Sequence, residues 1–98
     1  MPGEPRTPPH SIEAEQSVLG GLLLDSSAWD QVGDVLTADD FYRPDHRLIF
    51  ESIGLLAGEG RPCDVITVSE QLERSGRLED AGGLAYLGRL ASDTPTAA

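Results

Sequence analysis

The stretch QSVLGGLLL, residues 16–24, decides how the rest of the chain is read. Two adjacent glycines, Gly20 and Gly21, stand among apolar residues. Such a pair marks a hairpin turn, a phosphate-binding loop or a helix interior. A G-x-x-x-x-G-K-[ST] phosphate loop needs a lysine, and the chain has none; all 7 basic residues are arginines. No G-x-G-x-x-G is present either. A hairpin needs alternating flanks, whereas these flanks are leucine-rich and follow a helix start signal. Ser11 is placed as an N-cap, and Glu13 and Glu15 fall in the first turn, where they complement the helix dipole. Ile12, Leu19, Leu22 and Leu23 then recur at helical spacing. The glycine pair therefore belongs inside a helix, where each glycine costs about 1 kcal/mol relative to alanine. Close approach of another helix offsets that cost. Gly20 and Gly21 are read as a helix-crossing point in the core, with an interface between subunits as the alternative.

Working outward, Asp25-Ser26-Ser27 ends this segment and caps the next, in which Trp29, Val32, Val35 and Leu36 repeat at three and four residues. A turn, TADDFY, presents Phe41 and Tyr42. Pro44 then sits like a first-turn proline for a helix through HRLIFESIGLLAG, whose buried stripe holds Leu48 or Ile49, with Ser52, Ile53 and Leu56. Thr67-Val68-Ser69-Glu70 fits a capping box and predicts a fourth helix over VSEQLERS, ending before Gly76. Just ahead of it, Val65 to Val68 form a β-branched run too short and too isolated for a strand. The last helix is GLAYLGRLA, opened by Gly82-Gly83. The expected architecture is all-α, a compact bundle of five or six short helices over residues 11–93. Residues 1–10, with four prolines, read as a flexible lead-in, and the closing TPTAA shows no domain-closing feature.

Composition bounds the function. The 98 residues are 39% hydrophobic, enough for one modest core. A formal net charge of −10 argues against gripping a phosphate backbone and favours a basic protein partner. The single Cys63 forms no internal disulfide, fits a reducing compartment, and reads as a small buried hydrophobe. No apolar run reaches the roughly 20 residues needed to cross a bilayer.

No active site emerges. His46 lacks companion ligands and reads as structural. Asp39-Asp40, before an aromatic, reads as a solvated cap. Leu84, Ala85, Tyr86, Leu87, Leu90 and Ala91 give the last helix more apolar girth than one buried stripe needs. Either the helix is deeply buried, or Leu84 or Tyr86 faces a partner.

The segments PPHSIEAEQSVLGGLLLD (8–25), DDFYRPDHRLIF (39–50), PCDVITVSEQLERSGRL (62–78) and GGLAYLGRL (82–90) together resemble the amino-terminal domain of the bacterial replicative DNA helicases of the DnaB family. Cys63 departs from the aliphatic residue that the family tends to carry there. The resemblance implies an all-helical, non-catalytic module that pairs with its neighbours into a collar, a trimer of dimers on a hexameric ring. By the same resemblance, residues 94–98 start a linker toward a helical hairpin, and ATP and Mg2+ belong to a carboxy-terminal domain whose Walker motifs are absent here, so no cofactor is expected in this chain. The expected partners are further copies of the chain, primase and a helicase loader. Single-stranded DNA is expected to be reached through the longer protein, and no membrane is implied. The implied location is the cytoplasm, at replication forks. Glu13 and Tyr86 fall where primase or a neighbouring subunit would meet the domain, and Leu84 where collar domains would pair. Two alternatives stay open: the helicase-binding domain of primase, whose helices resemble these, and a free-standing acidic adaptor.

Overall fold

The computed structural model describes residues 11–93. Both the lead-in expected over 1–10 and the linker expected over 94–98 lie outside these described residues. Five α-helices follow one another: α1 (Ile12–Leu24), α2 (Trp29–Val32), α3 (Pro44–Gly58), α4 (Val65–Arg74) and α5 (Gly83–Asp93). Two 3-10 turns, Ser26–Ala28 and Ala38–Asp40, join them, and there is no strand among the described residues. The fold is all-α, as the spacing of apolar residues predicts.

Ser11 starts α1 from an extended backbone, its hydroxyl accepting the Ala14 N–H at 3.0 Å. That bond satisfies one of the amides a helix start leaves without an internal partner. The helix buries Leu19, Leu22 and Leu23 and packs chiefly on α5 and α3. Asp25 caps the 3-10 turn through the Ser27 N–H, and Pro44 opens α3, where the amide that proline lacks has no helical partner to lose. Along α3 the buried stripe is His46, Ile49, Phe50, Ser52, Ile53 and Leu56, so Ile49 and not Leu48 carries it.

The start of α4 differs from the expected one. Its N-cap is Asp64, whose carboxylate accepts the Thr67 N–H at 2.8 Å, so the helix begins at Val65 and takes the β-branched run as its first turn. β-Branching costs each residue only tenths of a kcal/mol in a helix, less than a charged cap at the dipole's positive end gains. Backbone bonding, led by the Thr67 N–H, outweighs burial and holds the Asp64 carboxyl below its ordinary value.

The core gathers Leu19, Leu22, Ile49, Ile53, Leu56, Val68, Leu72 and Leu87, with the rings of Phe41 and Phe50 tilted against each other at 4.9 Å between centroids. Trp29 leans on Phe50 and lies across two glycines. A Cβ on Gly33 would come within 2.4 Å of the indole, and one on Gly54 within 3.1 Å. Close approach in this fold is therefore tryptophan on glycine. Gly20 is buried, whereas a Cβ on Gly21 would meet nothing within 4 Å, so no neighbouring side chain or helix presses closely on Gly21. Cys63 is also fully buried, and desolvation pushes its thiol up.

Candidate interface and the polar seam beneath it

One cluster stands apart from the apolar core. Glu15 on α1 is 2% exposed and His46 on α3 is fully buried, and the Glu15 Oε1 to His46 Nδ1 distance is 2.7 Å. On the other side of the imidazole, Nε2 lies 2.6 Å from the Tyr86 hydroxyl on α5. The Gln16 amide donates to that same hydroxyl at 3.1 Å. The backbone N–H groups of Tyr42 and Arg43 donate to Glu15 at 2.5 and 3.4 Å. Around the rim, Arg43 pairs with Asp45 and its guanidinium lies 5.6 Å from the Tyr86 ring centroid. Both Glu15 oxygens, both His46 ring nitrogens and the Tyr86 hydroxyl have a partner, which is what allows a buried polar network to persist.

Burial works to raise the Glu15 carboxyl. The Tyr42 N–H, His46 and the Arg43 N–H together outweigh that effect, and the group sits below its ordinary value. It is an ionised acceptor inside the protein, held by donors from α3 and the turn that leads into it.

Sequence reasoning places Glu15 in the first turn of α1, where it lies, but does not anticipate that its side chain points inward. The signal was present: Glu15, Leu19 and Leu22 stand at i, i+4 and i+7, so Glu15 lies on the apolar stripe itself. His46 likewise shares a stripe with Ile49 and Ile53.

Above the seam, α1 and α5 enclose a groove of about 280 Å³ lined by Glu13, Gln16, Ser17, Tyr86, Arg89 and Asp93. The fold thus brings Glu13 and Tyr86 to one place, with Tyr86 half-buried and its hydroxyl committed to His46 and Gln16. Leu84 is not part of this groove; it stands 48% exposed at the start of α5. Gly20 and Gly21 are not among the groove's lining either. Asp40 caps the turn at the Thr37 N–H. Among the described residues, no group of His, Cys, Asp and Glu is arranged to hold a metal ion. No helix there is long and apolar enough to cross a membrane.

A hydroxyl, an imidazole and a carboxylate in line are also the parts of a nucleophile triad. Here the hydroxyl is a tyrosine's and the carboxylate is capped by backbone amides, an arrangement suited to holding helices together. The model of the DnaB-like helicase N terminal domain matches residues 7–98. The chain belongs to that family.

The replicative DNA helicase DnaB of Buchnera aphidicola subsp. Schizaphis graminum (strain Sg) is 52% identical over 91 residues, which cover 93% of this chain and 20% of that protein. The DnaB of Geobacillus stearothermophilus is 46% identical over 93 residues, 95% of this chain and again 20% of the relative. The crystal structure of the N-terminal domain of DnaB helicase from Mycobacterium tuberculosis superposes with a TM-score of 0.85 at 46% identity, covering 92% of this chain and 65% of that one. The chain spans about a fifth of the length of these curated relatives. It matches their DnaB-type N-terminal domain, which is not the catalytic part of a helicase. These matches favour the helicase reading over a primase domain or a free-standing adaptor.

Proposed function

We propose that this DnaB-type domain is the collar of a hexameric replicative helicase, where it pairs subunits and receives primase. In that reading the longer protein unwinds DNA in the 5′ to 3′ direction with ATP and Mg2+, in the cytoplasm at the replication fork. A helicase loader is a further partner. Single-stranded DNA is handled elsewhere in the ring, because a domain with a net charge of −10 repels a phosphate backbone.

The observation that carries the proposal is the agreement of family and fold over nearly the whole chain, with the DnaB-type match over residues 7–98. The groove supports the assignment of Glu13 and Tyr86 to the primase contact, since it places an exposed acid beside a half-buried aromatic. Leu84, exposed and away from that groove, is assigned to the contact between paired collar domains. Gly20, which is buried, is assigned to helix packing in the core, and Gly21, which no neighbouring atom approaches within the chain, to a contact between subunits.

The test is made in the full-length helicase. Leu84→Glu is expected to shift hexamers toward smaller species in sedimentation velocity while primase still binds. Titration with the helicase-binding domain of primase is expected to give saturable binding to the unmodified protein. Absence of primase binding, with hexamers intact, would remove primase reception from the proposal.

A further inference from the structure

The seam fixes where protons sit, and this has a consequence at the groove. Glu15 is ionised and accepts only, so the proton between it and His46 belongs to Nδ1. The Gln16 amide nitrogen can only donate, so the Tyr86 oxygen accepts from it. With a neutral His46, bare Nε2 must then accept the Tyr86 O–H at 2.6 Å. The hydroxyl proton is turned inward, and one oxygen lone pair is left for the groove. When His46 gains its second proton, Nε2–H donates to the same oxygen and the Tyr86 proton is displaced outward. The hydroxyl then faces the groove as a donor.

We infer that His46, held in one tautomer by Glu15, sets whether Tyr86 offers the α1–α5 groove a hydrogen-bond acceptor or a donor. The neutral state presents the Tyr86 lone pair beside the carboxylates of Glu13 and Asp93, a set of acceptors that fits an ammonium or guanidinium group of a basic partner. Protonation removes the acceptor and adds a positive charge behind it, so such a partner is released as pH falls. The charged and titratable groups facing His46 are Glu15 from α1, Asp45 from α3, with Oδ1 4.0 Å from Nε2, and Tyr86 from α5. Arg43 lies over the outer face of the Tyr86 ring and Arg89 lines the groove. Glu15 and His46 are thus positioning residues for a contact made by Tyr86. The partner half of this inference rests on the groove being the primase contact; the proton half does not.

Long-range proton–nitrogen NMR spectra of the 98-residue chain in a His10→Gln background, which leaves His46 as its one histidine, test the proton half directly. The neutral ring is expected to carry its proton on Nδ1. The Tyr86 hydroxyl proton, slowly exchanging while the ring is neutral, is expected to become fast-exchanging once the ring is the cation. A neutral ring protonated on Nε2, or a hydroxyl exchange rate that does not change when the ring becomes the cation, overturns the inference. For the partner half, the helicase-binding domain of primase is titrated into the full-length helicase at several pH values. Its Kd is expected to rise several-fold as pH falls, up to about tenfold per pH unit for one linked proton. Tyr86→Phe is expected to bind with a pH-independent Kd. The same pH dependence in Tyr86→Phe, or a flat profile in the parent while the ring titrates, overturns it. If primase does not bind at all, the groove assignment fails and the spectra alone decide the proton relay.

Discussion

The α3–α4 seam and the α1–α3–α5 seam solve the same problem with different chemistry. Between α3 and α4, Ile53, Leu56, Val68 and Leu72 bury apolar surface, and a single exposed carboxylate, Asp64, fixes where α4 begins. Between α1, α3 and α5, leucine packing is joined by Glu15, His46 and Tyr86, three polar groups that must satisfy each other. The first seam is non-directional, so it sets stability and little else. The second is directional: each donor needs its acceptor, so it fixes how α1 and α5 face one another and where the Tyr86 hydroxyl points. That directed seam lies under the groove that holds Glu13. The fold and the proposed partner surface meet there.

Substitutions can break this contrast, and the largest effect is expected at its buried charge. Glu15→Ala leaves His46 and two backbone amides without their acceptor and is expected to cost about 3–5 kcal/mol in urea unfolding, the range for breaking one half of a buried pair. Glu15→Gln, which keeps the shape, should cost less and should flatten the acid side of the stability profile. Because the folded carboxyl lies below its ordinary 4.5, its contribution is present above that pH and is lost as pH falls through the folded value. An unchanged acid limb in Glu15→Gln would mean that the seam carries no charge.

The glycine pair comes next. Gly20→Leu adds a large side chain at a buried position and is expected to cost about 1–3 kcal/mol. Gly21→Ala, with no neighbouring atom within 4 Å of the new methyl, is expected to stabilise by about 0.5–1 kcal/mol through helix propensity. Equal thermal midpoints for the two variants would erase the distinction between the two glycines. On the apolar seam, Asp64→Ala should cost about 1 kcal/mol, and only above the pH at which the folded carboxyl ionises. A larger loss, with helix content reduced beyond α4, would show that this cap supports more than its own helix.

The same contrast explains what could be read from the sequence. Helix number, order and the α3 stripe follow from apolar spacing, because burial repeats with the helix period. Ser11, Asp25 and Pro44 announced their helix starts for the same local reason. At α4 two cap signals overlapped three residues apart, and the run from Val65 to Val68 obscured the earlier one. Glu15 was harder. Its place on the stripe of Leu19 and Leu22 was visible, but a carboxylate is buried only when partners wait for it, and these come from residues 42, 43 and 46. Pairing across that distance is a property of the fold. The groove was legible in the same partial way: Glu13 and Tyr86 could each be singled out, while their meeting depended on how α1 packs on α5.

Glu13→Lys tests the central claim most directly, because Glu13 lines the groove while being exposed and taking no part in the seam. The measurement is the Kd of the full-length variant for the helicase-binding domain of primase, taken beside its thermal midpoint. The account predicts binding weakened about tenfold or more, as expected for reversing a charge within a contact of about 1.4 kcal/mol or larger, with an unchanged midpoint and intact hexamers. Binding equal to that of the parent would contradict it and would place the primase contact away from the α1–α5 groove.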